Sequence, residues 1–301
     1  MNTMLILKLR NTDTPLRRFV ERFFASRIAS VSFFLLVLIV LAALLAPWLA
    51  MQNPYDLQQL DILDSSLPPG ELSASGGMYW LGTDDQGRDM LSAILYGLRI
   101  SLGVGVGSAL LASMVGTAVG LIAAYAGGKI DTFIMRVVDL QLSFPTILVA
   151  LMILTVLGKG VWNIVLALII VEWAFYARTV RGAALVERQK EYVEAAHCLG
   201  LPWRHILASH LLPNCLPPII VVFTMQIARA IALEATLSFL GLGVPITEPS
   251  LGLLIANGYQ YILGGNYWIS FYPGIALLIV IVVINLIGDQ LRDVLNPRME
   301  K

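Results

Sequence analysis

Residues 102–125 read Leu-Gly-Val-Gly-Val-Gly-Ser-Ala-Leu-Leu-Ala-Ser-Met-Val-Gly-Thr-Ala-Val-Gly-Leu-Ile-Ala-Ala-Tyr, a stretch with no charged side chain. A helix needs about 20 apolar residues to cross a hydrocarbon layer about 30 Å thick, so this stretch predicts a membrane span. Five more runs share its character: about 28–49 before it, and about 140–157, 161–177, 217–240 and 273–288 after it. None alternates apolar with polar residues as a barrel strand does, and backbone facing lipid must satisfy its own hydrogen bonds. The expected fold is an all-α membrane protein with six transmembrane helices.

Composition agrees. Of 301 residues, 57% are hydrophobic and 13% charged, against roughly 25% charged in a soluble domain; mean hydropathy is +0.78. Twenty basic residues balance twenty acidic ones, so no net field attracts nucleic acid, and the apolar content excludes a disordered chain. Cys198 and Cys215 are too few for a disulfide scaffold and are read as free thiols.

Basic residues mark the cytoplasmic side. Lys8, Arg10, Arg17, Arg18, Arg22 and Arg27 precede the first run, and Lys129 and Arg136 follow the second. Arg178, Arg181, Arg188, Lys190 and Arg204 lie between the fourth and fifth, with Arg292, Arg298 and Lys301 after the sixth. The opposite side has Arg88, Arg99 and Lys159. Both termini are therefore expected in the cytoplasm, with loops 50–100, 158–161 and 241–272 outside. The first run is longer than the h-region of a signal peptide and follows a long basic leader, so it reads as a retained anchor. Gly103, Gly107, Gly116 and Gly120 give the second run two G-x-x-x-G spacings, suited to close helix packing within the subunit or, as a set, at a subunit interface.

Residues 178–214 form a long connection for a compact bundle. A helix is expected over 187–199, then a left-handed or flexible Gly200, a second helix starting at Pro202, and a stop at Pro213. Apolar Tyr192, Val193, Ala195, Ala196 and Leu199 beside charged Lys190, Glu191 and Glu194 suit docking into a partner's groove.

Glu194-Ala195-Ala196, Gly200 and Leu212-Pro213 resemble the EAA loop of permease subunits of bacterial ABC importers; the Ile usual before Leu-Pro is His210 here. Leu81-Gly-Thr-Asp-Asp-Gln-Gly-Arg-Asp-Met-Leu-Ser92 with Tyr96-Gly-Leu-Arg-Ile-Ser101 resembles the outer elbow of the C-type permease of dipeptide, oligopeptide and nickel importers. Ala235-Thr-Leu-Ser-Phe-Leu-Gly-Leu-Gly243 and Asn285-Leu-Ile-Gly-Asp-Gln-Leu-Arg-Asp-Val-Leu-Asn-Pro-Arg298 are similar to the same subfamily, with Asn296 in place of the usual Asp. The resemblance implies a type I importer bundle laid out as follows: 1–27 cytoplasmic, 28–50 the first transmembrane helix, 51–100 a periplasmic loop and elbow, 101–288 the core permease domain with the EAA loop at 187–213, and 289–301 a cytoplasmic tail. It also implies a bacterial inner-membrane location, a homologous second permease subunit, two cytoplasmic ABC ATPases holding ATP and Mg, and a periplasmic solute-binding protein. No cofactor and no catalytic residue are expected in this chain. Tyr192, Glu194, Ala195, Ala196, Gly200, Leu212 and Pro213 are the implied ATPase-coupling residues.

Charges at bilayer depth are costly and point to function or internal pairing. Three are expected there: Glu172, Arg229 and Glu234. Arg229 is placed either on the translocation path, where it would meet a peptide carboxylate, or in an ion pair with Glu172 or Glu234. Met225, Arg229, Glu234, Ser238 and Phe239, with Gln226 nearby, are the candidates for the path, and packing is the competing role for each. His197, Cys198, His205, His210 and Cys215 match no paired metal-ligand template. Gly158-Lys159 fails the phosphate-loop pattern on both sides. The outer acids Asp56, Asp61, Asp64, Glu71, Asp84, Asp85 and Asp89 form either a face for a binding protein or a solvated loop, and 249–266 is expected as an interfacial or re-entrant cap.

An ion-coupled secondary transporter is the rival reading, but it needs no long docking loop and usually shows repeats between halves. An intramembrane enzyme would need a Ser/His, paired-Asp or H-E-x-x-H arrangement in the spans, and there is none. The expected docking surface predicts that Gly200→Pro or Ala196→Asp lowers ATP-driven uptake in vesicles while the chain still inserts.

Overall fold

The structure, a computed structural model, describes residues 15–73, 76–245 and 247–295. Lys8, Arg10, Asn296, Arg298 and Lys301 lie outside these residues. Ten helices carry the described chain: α1 (Pro15–Ala25), α2 (Arg27–Leu44), α3 (Met90–Ala126), α4 (Gly128–Ser143), α5 (Thr146–Leu157), α6 (Val161–Arg188), α7 (Glu191–Cys198), α8 (Trp203–Phe239), α9 (Leu251–Tyr259) and α10 (Trp268–Leu295). A four-residue turn, Ala46–Leu49, extends α2 after a break at Leu45. Five helices are long and apolar enough to span a membrane, namely α2, α3, α6, α8 and α10; α4 and α5 together make a sixth, bent span.

The spans start and stop where local chemistry dictates. Ser26 caps α2 by accepting from the Ala29 N–H, and Asp89 caps α3 by accepting from Ser92. Gly127, at φ +63°, ends α3 with its N–H on the Ala123 carbonyl. Arg188 adds a guanidinium hydrogen bond to the Ala124 carbonyl at 2.8 Å, placing positive charge at the negative end of α3. At 37 residues and 1.5 Å per residue, α3 is about 55 Å long. It therefore projects beyond the hydrocarbon layer.

The third span departs from the expected uninterrupted run at 140–157. Phe144 is extended at ψ 143°, and α4 and α5 meet at 91°. Pro145 is the cause, because its ring disfavours helical geometry in the residue before it. α4 is partly polar and is held to α6 by a bidentate Arg181–Asp131 pair at 2.6–2.7 Å and by Arg178 on Asp139.

Helix α8 also differs from expectation. Pro213 does not end it: the helix runs from Trp203 through Pro213, Pro217 and Pro218 to Phe239. Proline removes a donor and crowds the carbonyl four residues back. Here Ile206–Leu211 widens into a π turn, with the Leu212 N–H reaching Leu207, and the Asn214 side chain donates to the His210 carbonyl at 2.7 Å. The expected 187–199 helix is in turn split, since α6 runs to Arg188 and α7 begins at Glu191.

The small residues of α3 divide by role. A Cβ on Gly116 would fall 2.5 Å from that of Tyr176, and one on Gly120 2.6 Å from the Ala177 carbonyl oxygen, both on α6. Gly103 and Gly107 meet nothing within 4 Å. The second pair of glycines therefore joins α3 to α6 inside this chain.

Between α2 and α3, the described residues of 51–73 and 76–89 are folded onto the bundle through their acids. Asp64 accepts from Ser73 Oγ at 2.5 Å and from the Tyr79 hydroxyl at 2.9 Å, while Thr83 Oγ donates to the Asp64 carbonyl. Asp84 accepts from the amides of Gln86 and Arg88, and Arg88 lies over the Tyr55 ring. Burial holds the Asp84 carboxyl above the ordinary carboxylate range, against the pull of Arg88. Trp268 of α10 donates to the Thr83 carbonyl at 3.0 Å. Asp64, Asp84 and Asp89 are buried, so the outer acids do not make one solvated face. Gly82, at φ +77°, lets Leu67 and Trp268 close on it, since a Cβ there would lie 2.5 Å from the Leu67 carbonyl oxygen.

Gly120→Leu is expected to lower the thermal midpoint of the purified protein, overpacking costing about 1–3 kcal/mol. Gly182→Ala, on an open helix face, should leave it unchanged or slightly raised.

Candidate functional site

Helix α7 lies at the end of the bundle where α3 ends and α8 begins. It is eight residues long, too short to be stable alone, so tertiary contacts hold it. Val193 and Ala196 are its buried residues, and they pack with Leu121 and Ala124 of α3, Val180 and Ala184 of α6, and Ile206, Leu207 and Leu211 of α8. Burying the valine alone contributes about 2 kcal/mol. His197 stacks on Tyr125 with centroids 5.7 Å apart. The Tyr192 hydroxyl donates to Glu187 at 2.6 Å, and Lys190 binds the other oxygen of the same carboxylate at 2.7 Å. Burial and that carboxylate push the Tyr192 phenol up to about 12, so it remains a donor at neutral pH.

Among the described residues, the opposite face of α7 has no partner. Glu191, Glu194, Ala195 and Cys198 are exposed, and Leu199 is 78% exposed at the tip. Gly200 follows at φ +69° with open space around it, and Trp203 is half exposed. The expected apolar docking set thus separates in two. Ala196 and Val193 face inward as anchors; Ala195, Leu199 and the rim of Tyr192 face outward. Leu212 is half-buried and Pro213 exposed on the returning helix.

Along α8 the five candidates for the path also separate. Met225 and Phe239 are exposed, and with Ala232 and Thr236 they lie on one helical stripe at spacings of seven, four and three. Ala232, Thr236 and Phe239 line a groove of about 320 Å³ against Gly252 and Ile255 of α9 and Ile281 of α10. Thr236 and Ala232 escaped the sequence reading, although their helical spacing from Met225 was its visible signal. Glu234 and Ser238 turn the other way and are buried. The Glu234 carboxylate accepts from Ser101 at 2.9 Å and Ser238 at 2.7 Å, with Ser250 also bonded to it. Ser101 further accepts from the Leu251 amide, and Ser250 caps α9 by accepting from Leu253. Glu234 therefore ties α3, α8 and the start of α9 together. Within 249–266 the chain forms the short helix α9, where Gly258 approaches α10 so closely that a Cβ would lie 2.5 Å from the Ser270 amide.

Arg229 forms neither expected ion pair. Its guanidinium donates to Thr146 Oγ at 3.0 Å, at the first residue of α5, and stands 4.2 Å from the centre of the Phe175 ring. Glu234 is occupied by its serines, and Glu172 is fully buried with both carboxylate oxygens unbonded. Thr146 and Phe175 were missed because they fall on the bend and on α6, far away in sequence. Among the described residues, no three His, Cys, Asp or Glu side chains come together as a metal site, and Cys198 and Cys215 are both free, the latter buried.

The division of α7 revises the expectation for Ala196. Ala196→Asp puts an unpaired charge into the anchor and should reduce the yield of folded protein. Leu199→Asp, by contrast, should leave yield and thermal midpoint unchanged while weakening binding to cytoplasmic partners, measured by co-purification.

Comparison with known proteins follows the same outline. Residues 116–301 match the family described as "Binding-protein-dependent transport system inner membrane component", and residues 14–69 match the "N-terminal TM domain of oligopeptide transport permease C". The dipeptide transport system permease protein DppC of Haemophilus influenzae is 36% identical over 96% of each chain. The probable D,D-dipeptide transport system permease protein DdpC of Escherichia coli is 38% identical over 88% of this chain and 85% of its own. The glutathione transport system permease protein GsiD of Pectobacterium atrosepticum is 36% identical over 99% and 96%. Among solved structures, an inward-facing form of the MetNI methionine ABC transporter superposes with a TM-score of 0.57 at 21% identity, over 69% of this chain and 98% of that one. With a family match over most of its length and relatives aligned nearly end to end, the chain belongs to the inner membrane components of binding-protein-dependent transport systems, the non-catalytic permease subunits of ABC importers.

Proposed function

We propose that this chain is one membrane half of a bacterial importer of short peptides, set in the inner membrane with both termini in the cytoplasm. A homologous permease subunit supplies the other half. Two ABC ATPases carry ATP and Mg beneath it, and a periplasmic solute-binding protein delivers the peptide above. The peptide assignment draws on the names of the relatives, which describe dipeptide, D,D-dipeptide and glutathione systems.

The observation that carries this reading is the two-faced α7. Val193 and Ala196 fasten it to the ends of α3, α6 and α8, while Glu194, Ala195 and Leu199 stand outward. A body that seizes the outer face displaces three spans at once, because a packed core passes strain on rather than absorbing it. In this reading Tyr192, Glu194, Ala195, Ala196 and Gly200 form the coupling helix and its turn, and Leu212-Pro213 leads the movement into α8. The translocation path follows the stripe Met225, Arg229, Thr236 and Phe239. Glu234 and Ser238 act behind it by holding α9 in place. No residue here performs chemistry on the solute; the chain's work is mechanical, and ATP is hydrolysed in the partner subunits.

The test is reconstitution. The full assembly in liposomes should accumulate a labelled dipeptide only with ATP and binding protein present, and uptake by this chain alone under a proton or sodium gradient would sink the reading. Arg229→Gln should lower peptide uptake roughly tenfold in the intact assembly, the loss expected for one charge-assisted hydrogen bond.

A further inference from the structure

Glu172 is unexplained by anything above. It sits in the middle of α6, fully buried, and neither carboxylate oxygen has a hydrogen-bond partner. Buried polar groups are nearly always paired, and an unpaired one calls for a cause. The Tyr176 hydroxyl, one turn further along the same helix, is also buried and unbonded. Arg229 makes no direct ion pair with Glu172: its guanidinium is held by Thr146 and by the face of Phe175, three residues along α6 from Glu172.

Phe175 and Glu172 are three residues apart on one helix, so their Cβ atoms are separated by about 5–6 Å. The guanidinium over the Phe175 ring therefore stands within one helical turn of the position that carries the unpaired carboxylate. Its present bond crosses to Thr146 at the bend between α4 and α5. Sliding of α8 away from that bend lengthens the Thr146 contact and frees the guanidinium.

We propose that Glu172 is the positioning residue for Arg229, and that the guanidinium has two stations in the transport cycle, one on Thr146 and Phe175 and one on Glu172. In the first, Arg229 is aligned with the α8 stripe; in the second it is withdrawn into α6 and neutralised. The inference rests on the two-state cycle of the proposed importer, not on which solute is carried.

The two stations make opposite demands on substitutions. Thr146→Val weakens the first, and Glu172→Gln, nearly isosteric, weakens the second. In the complete assembly with its ATPases, the fraction of transporter trapped by ATP and vanadate is measured for each. The two variants should shift it in opposite directions, and each effect should vanish when Arg229→Gln is also present. A merely structural role predicts losses of the same sign that add. Shifts of the same sign, or a Thr146→Val effect that persists beside Arg229→Gln, overturns the proposal. Should Glu172→Gln fail to assemble, the Arg229→Gln background decides alone. If the unmodified assembly neither traps with vanadate nor takes up peptide on ATP, the importer reading falls and this inference with it, whereas normal trapping with additive losses removes the inference only.

Discussion

Contact between the backbones of α3 and α6 is the constraint on which the rest depends. In lipid no hydrophobic force drives two helices together, so close approach and dispersion must do so. Gly116 and Gly120 let the carbonyl ridge of α6 press against α3. The result is a two-helix rod whose end beside α7 is closed by Arg188 on Ala124 and roofed by Tyr125 on His197. α7 has a firm seat because that rod is there; without it, an eight-residue helix would fray.

Much of this was legible in the chain. Apolar run lengths located the spans, and Gly200 marked the left-handed turn after α7. Other features escaped because they depend on partners distant in sequence. Asp64, Asp84 and Asp89 read as surface acids, since nothing local reveals that Ser73, Tyr79, Ser92 and the nearby amides will enclose them. Arg229 read as a partner for Glu172 or Glu234 by charge, but its guanidinium is taken by Thr146 and the face of Phe175, neither of which carries a charge to betray it. Pro213 read as a stop because the rule for an isolated helix ignores the π turn that makes room for it. The break at Phe144-Pro145 was written in the sequence and was overridden by hydropathy, which counts apolar residues without asking whether the backbone stays helical.

The same residue type serves unlike purposes at the two ends of the bundle. Between α2 and α3, buried carboxylates accept from hydroxyls and amides and so fold a loop that has little apolar core of its own. Within the bundle, Glu234 binds three serines from separate elements, so one side chain stitches α9 to its neighbours. Glu187, near the C-terminal end of α6, takes Lys190 and Tyr192 and sets the angle at which α7 leaves α6. In each case the acid joins segments that sequence order keeps apart, and the apolar surface is left free to face lipid and other subunits.

The π turn at Ile206–Leu211 has an effect that reaches well beyond the loop in which it lies. A wide turn accommodates one extra residue, and each residue advances a helix by about 100°. Everything downstream on α8 is therefore rotated by that amount relative to a regular coil drawn from Trp203. The azimuth of Met225, Arg229, Thr236 and Phe239 is set by a single supernumerary amino acid about four to eight turns away. A one-residue deletion there would keep the hydropathy, the length and every side chain of the span, yet aim its working face at the wrong neighbour.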